Sequence, residues 1–196
     1  MKHHFTLIYE LDTTVACAVA AYLDAEHYAF LHSKYSPEWE ALHRTGRKIV
    51  VRQTWAYGPR RIGQIYTCEY VPPARFLNYG IRPSPWWLPS IHHLVKTRTD
   101  LRYYANAAGT ATVSHLEVEV DMPLWLWPLR RVIERKICAL KEEKDEEDMQ
   151  MIRRRAQLFG RGNIKSYLAP HQFMLHKDDF VEHFGGDAPR VLGSVD

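Results

Sequence analysis

Residues 109–121 alternate apolar and polar. Leu116, Val118 and Val120 face one side and His115, Glu117 and Glu119 the other, the period of a half-buried strand. Residues 4–11 (HFTLIYEL) read as a first strand. Residues 47–57 and 60–71 read as two more, joined by Gly58–Pro59, a hairpin signal. ARFLNYGI adds another, and residues 91–107 hold one or two. A helical period governs residues 12–35, which are Ala-rich and begin with Asp12 or Thr13 as a cap. Ser36 and Pro37 suit the cap and first position of a short second helix, PEWEALHR. The longest helical pattern starts at Leu124 or Pro128 and runs to Phe159, where Gly-Arg-Gly is a natural stop. Leu126, Leu129, Ile133, Ile137 and Leu140 form its buried stripe, which continues to Met151, Leu158 and Phe159.

This order contains no βαβ repetition, so a parallel doubly wound sheet is not expected. The expected class is α+β, an antiparallel sheet wrapped around a long C-terminal helix. It resembles the helix-grip architecture of START-like and Bet v 1-like domains, which encloses an apolar cavity. The expected division is a helix-grip domain over 1–160 and a C-terminal extension over 161–196 with one short helix in HQFMLHKDDFVEHF. RPSPWWLPS reads as an apolar loop, folded onto its own core or lying over a pocket as a lid.

Composition narrows the function classes. The 196 residues are 46% hydrophobic and 12% aromatic, enough for one core. Net charge is +3, and Lys and Arg are interleaved with Asp and Glu, so nucleic acid is not an expected partner. Three distant cysteines, Cys17, Cys68 and Cys138, build neither a disulfide framework nor a Cys-x-x-Cys knuckle, which points to a reducing cytoplasm. The N-terminus lacks the features of a signal peptide, and no apolar run reaches the roughly 20 residues that span a bilayer. PLWLWPLRR sets two Trp beside two Arg, a mix suited to peripheral membrane contact. With Trp86 and Trp87 it also suits docking of a partner, a second copy included.

The candidate chemistry begins in YLDAEHYAFLH, where Asp24, His27 and His32 follow the pattern Asp-x-x-His-x-x-x-x-His. On a regular helix, residues five apart point about 140° away from each other. His27 and His32 can share a metal only if the helix is deformed over residues 28–31 or ends at His32. Asp24, three before His27, shares its face, so the Asp24 carboxylate can hold the second ring N–H of His27. Two imidazoles and one carboxylate make a facial triad for Fe(II), so a carboxylate on an apolar face is needed. Asp148 lies eleven residues after Ile137 and fifteen after Ile133, near whole turns of the long helix, beside its buried stripe. Glu147 falls on the stripe's other flank and stays open as an alternative, whereas Asp145 lies further round and Glu146 points away.

The histidine segment resembles the mononuclear iron motif of Rieske-type aromatic-ring-hydroxylating oxygenases, whose catalytic domain is a helix-grip fold, and EEDMQMIRRRAQLF resembles their third-ligand segment. The resemblance implies one Fe(II) held by His27, His32 and Asp148. It also places Asp24 on the electron path from a neighbouring Rieske cluster. The chain departs from the family because no cysteine has a His at Cys-x-His or Cys-x-x-His spacing, so no iron–sulfur cluster is expected in it. Electrons for an oxygenase would come from a separate Rieske- or ferredoxin-type protein. The rival reading is a START-like carrier that binds a hydrophobic lipid or polyketide without metal chemistry. In either case Trp55, Tyr66, Tyr70, Tyr103 and Tyr104 are candidates to line the cavity.

Overall fold

The computed structural model describes residues 1–57, 60–87, 90–159, 164–168 and 174–185. The strands are β1 (Lys2–Leu11), β2 (Glu38–Thr45), β3 (Lys48–Tyr57), β4 (Arg60–Val71), β5 (Arg75–Ser84), β6 (Lys96–Ala105) and β7 (Thr112–Asp121). They form one antiparallel sheet in the order β1-β7-β6-β5-β4-β3-β2. The helices are α1 (Val15–Leu23), α2 (Ala25–Phe30), α3 (Arg130–Phe159), α4 (Ile164–Leu168) and α5 (Lys177–Phe184). The sheet and the 30-residue α3 make the helix-grip arrangement that the strand order leads one to expect.

The alternation in β7 does what its period requires. Leu116, Val118 and Val120 are buried, and Glu117 is exposed. Together with Val19, Phe76, Leu101 and Met122 they form one core. Each large apolar side chain so buried contributes roughly 1.5–3 kcal/mol.

Three expectations fail locally, and one reading left open is decided. PEWEALHR is a strand, not a helix. Ser36 caps nothing; it is buried and its Oγ accepts from Gln53 Nε2 at 2.7 Å, which holds the chain against β3. Gly46, at φ +54°, turns the chain so that Thr45 pairs with Lys48, and the ladder overrides helix propensity. Next, α3 begins at Arg130, after a 3-10 turn over Leu124–Leu129 that includes Pro128. Its stripe also differs: Leu129 and Leu158 are exposed, while Met149 and Ile152 are the buried pair beyond the charged run KEEKDEED, residues 141–148. Finally, Trp86 and Trp87 are 76% and 66% exposed, so their loop is not folded onto the core at these two residues. Leu88, Pro89, the Gly58–Pro59 link and the Gly-Arg-Gly stop lie outside the described residues. No helix among the described residues is long and apolar enough to cross a membrane.

The C-terminal segment holds α4 as well as the expected helix, α5. Phe180 and Phe184 of α5 are buried in the same core as the sheet. The segment before α5 clasps the break between α1 and α2: Leu175 N–H donates to the Leu23 carbonyl at 2.8 Å, and Met174 bridges Asp24.

His176, between that clasp and α5, is buried beside the Tyr70 ring and the Arg44 guanidinium. Burial, and then Arg44, push it from 6.5 down to about 4. The folded value is the lower one, so the unfolded chain takes the proton first and acid favours unfolding. Urea midpoints are expected to fall between pH 6.5 and 4. His176→Asn, which tolerates the left-handed backbone at φ +51°, should flatten that slope. An unchanged slope would contradict this assignment.

Candidate functional site

α1 stops at Leu23 because Asp24 turns extended (φ −71°, ψ 104°) and its carboxylate caps α2, accepting from Glu26 N–H at 3.0 Å. α2 is six residues long. At its end the His27 carbonyl accepts from Leu31 N–H at 2.8 Å and from His32 N–H at 3.4 Å. The second is an i to i+5 bond, the π-type widening of a helical turn. It turns the two rings toward each other, with centroids 5.1 Å apart and planes at 81°. Both deformations that would let the rings meet are present: the last turn widens, and α2 ends at Phe30, just before His32. The chain adds a break at Asp24 that the spacing does not reveal.

α3 brings Asp148 to the same point. Its Oδ1 lies 3.3 Å from His32 Nε2 and 3.7 Å from His27 Nε2. One ligand atom from each of the three residues lies within 4.8 Å of the others. The far side of each ring is held. His27 Nδ1–H donates to the Asp24 carbonyl at 2.5 Å. His32 Nδ1–H donates to Glu147 Oε2 at 2.8 Å, and Tyr35 O–H donates to the same oxygen at 2.6 Å. With both Nδ1 atoms donating, both Nε2 lone pairs face Asp148 Oδ1. That oxygen is buried and has no hydrogen-bond partner. Three electron-rich atoms converge without a proton assigned between them, which is the environment that a cation fills.

The ionisation states suit ligation. Burial pushes His27 below its ordinary value, leaving it neutral at pH 7. Burial would raise the Asp148 carboxyl, but a proton on the His32 or His27 ring attracts it and holds the group below its usual range, and a metal would take that proton's place. Neutral imidazole and carboxylate are the forms that bind metal.

Two roles differ from expectation. Asp24 does hold the ring N–H of His27, but through its carbonyl; its carboxylate caps α2 and meets Arg155 at 3.2 Å. Glu147, the alternative ligand, lies behind His32 and fixes its tautomer instead.

The three residues stand on the wall of a cavity of ≈ 230 Å³. Trp55, Tyr66 and Tyr103 line it, with Leu101, Leu116 and Ile137. Tyr70 is core instead, its hydroxyl donating to the Pro73 carbonyl at 2.8 Å. Tyr104 stands outside the cavity lining, near His115. Sequence reasoning missed Tyr35, Gln53, Gln64, Lys141 and Lys144. The lysines had a signal, since positions 141, 144 and 148 share a helix face.

No family model matches the chain, and no curated protein sequence does. Solved structures share its fold. Aromatase/cyclase ZhuI from Streptomyces sp. R1128 is similar at 11% identity and TM-score 0.62, over 80% of this chain and 96% of that one. Ara h 8.0201 is 12% identical at TM-score 0.60, over 77% and 97%. A START superfamily protein from Mycobacterium smegmatis is 12% identical at TM-score 0.58, over 76% and 99%. At such identities the likeness establishes the START/Bet v 1-like helix-grip fold. The likeness to Rieske-type oxygenases rests on the residues of the histidine segment and Asp148 alone.

Proposed function

We propose that this chain binds a small hydrophobic molecule in the cavity between sheet and α3, and that His27, His32 and Asp148 hold one Fe(II) at its wall. The observation that carries the reading is the joining of the two features: an apolar, aromatic-lined space opens directly onto two Nε2 lone pairs and an unpartnered carboxylate oxygen. Proteins of similar structure support the first half, since one is by name an aromatase/cyclase and another a START superfamily protein. Tyrosine and tryptophan faces supply area at small entropic cost, and Gln53 and Gln64 supply orientation.

The donor set supports the second half. Two imidazoles and one carboxylate leave positions open, and Fe(II) so held supplies oxygen activation beside a bound substrate. The chain's own residues do the positioning: Asp24 and Glu147 fix the ring tautomers, and the aromatic wall offers an apolar seat beside them. Oxidation would draw electrons from a separate Rieske- or ferredoxin-type protein. Without metal, the same cavity serves as a carrier.

Two measurements test these halves separately. Protein purified anaerobically with Fe(II) should hold about one iron per chain, and His27→Ala and Asp148→Ala should hold almost none. Full occupancy in both variants would exclude the triad. Neutral prodan, a two-ring fluorophore, should bind and shift its emission to the blue, and Ile137→Trp, which fills the cavity, should weaken it about tenfold or more. Unchanged binding in Ile137→Trp would place the apolar site elsewhere.

A further inference from the structure

Two lysines of α3 line the cavity, and among the described residues only one of them has an ion-pair partner. Lys141 Nζ pairs with Asp145 one turn further on. Lys144 Nζ stands 4.3 Å from the Trp55 ring centre and 5.7 Å from that of Tyr35. Among the described residues no carboxylate reaches it at ion-pair distance and no acceptor takes its hydrogens. Ring faces compensate an ammonium only in part, because they leave its N–H donors unbonded. Burial pushes this amine down to about 8, while the carboxylates of Asp148, Asp145 and Glu147, from beyond ion-pair distance, pull it up, so at pH 7 it still carries its charge. An ammonium that lines a ligand cavity with its N–H donors unbonded calls for an anionic acceptor from the ligand.

We infer that the cavity's ligand is an apolar acid, whose carboxylate seats on Lys144 against Trp55 while its body lies among the aromatic residues. The inference rests on the hydrophobic-ligand reading above and names its chemical class. The space of ≈ 230 Å³ lies below the ~300–1,000 Å³ of drug-sized pockets, which limits the body to about one or two rings. Lys144 is one helical turn from Asp148, about 6 Å along the axis, so a carboxylate held there sets the adjoining atoms beside the three ligand residues.

The test is calorimetric titration of the full chain with 2-naphthoic acid and with its neutral counterpart 2-naphthalenemethanol, as purified and after EDTA. The acid should bind about tenfold tighter or better in both states, the worth of one charge-assisted contact. Lys144→Met should remove that preference by weakening the acid alone, and Lys144→Arg should keep most of it. Lys144→Gln serves the same purpose should the Met variant melt early. Equal binding of the two compounds, or a preference that survives Lys144→Met, overturns the inference and leaves the hydrophobic site standing. A preference lost with EDTA assigns the carboxylate to the metal and also overturns it. No binding of either compound overturns both readings.

Discussion

Fe(II) added anaerobically at about a thousandfold excess over its Kd should raise the unfolding midpoint of the chain by about 8–16 °C, and Asp148→Ala should abolish the rise. The magnitude follows from linkage. A ligand at that excess stabilises the folded state by about 4 kcal/mol, and each kcal/mol moves the midpoint of a chain this size by about 2–4 °C. Three ligand atoms lie within 4.8 Å of one another, so no large rearrangement has to be offset before binding. Glu147→Gln should behave differently. Glu147 touches the metal site only through His32 Nδ1, and loss of such an outer partner typically costs about 10–100-fold in affinity. The rise should then shrink by about 1.4–2.7 kcal/mol of stabilisation rather than vanish. Differential scanning with graded Fe(II) reads both variants. A full rise in Asp148→Ala, or a larger loss in Glu147→Gln than in Asp148→Ala, would assign the third ligand to Glu147.

That distinction shows how far the sequence could be read. Asp148 was legible because a long helix is periodic, and counting whole turns from Ile133 and Ile137 places it beside the core. The meeting of His27 and His32 was legible as a requirement, since a five-residue gap needs a deformed or ended helix. How the chain meets that requirement was not. Asp24 caps α2 locally, but the break it makes is also clasped by Met174 and Leu175, about 150 residues away, and no local pattern encodes such a pairing. β2 was misread for a related reason. Its sequence favours helix, but Gln53 claims Ser36 and the ladder to β3 outweighs a propensity difference of well under 1 kcal/mol per residue. Glu147 and Asp148 are neighbours on one helix. Only the placement of His32 decides which faces Nε2 and which faces Nδ1. Lys144 passed as part of a charged run because its exposure is set by the cavity, not by the helix.

The dependence of the site on the far C-terminal segment leads to the second large effect. Phe180→Ala should destabilise the chain by about 3–5 kcal/mol, the usual result of emptying a buried aromatic site. Phe180 is fully buried, its ring centre lies 5.0 Å from that of Phe184 with the planes tilted by 33°, and it joins α5 to the core that α1 and the sheet share. Val181, its neighbour on the same helix, is 41% exposed, and Val181→Ala should stay within about 0.5 kcal/mol. Urea denaturation separates the two. The more telling readout is metal binding at low denaturant, where Phe180→Ala is still folded. α5 anchors the segment that bridges Asp24, and the Asp24 carbonyl holds His27 Nδ1. Loosening that segment frees His27 to turn, so Fe(II) affinity should fall although Phe180 is no part of the metal site. On the same argument the described segment 174–185 belongs to the folding unit of the site, and a chain cut before it should lose both stability and metal. If folded Phe180→Ala binds Fe(II) as tightly as the parent, the clasp is structural ballast and the geometry at His27 is set by α2 alone.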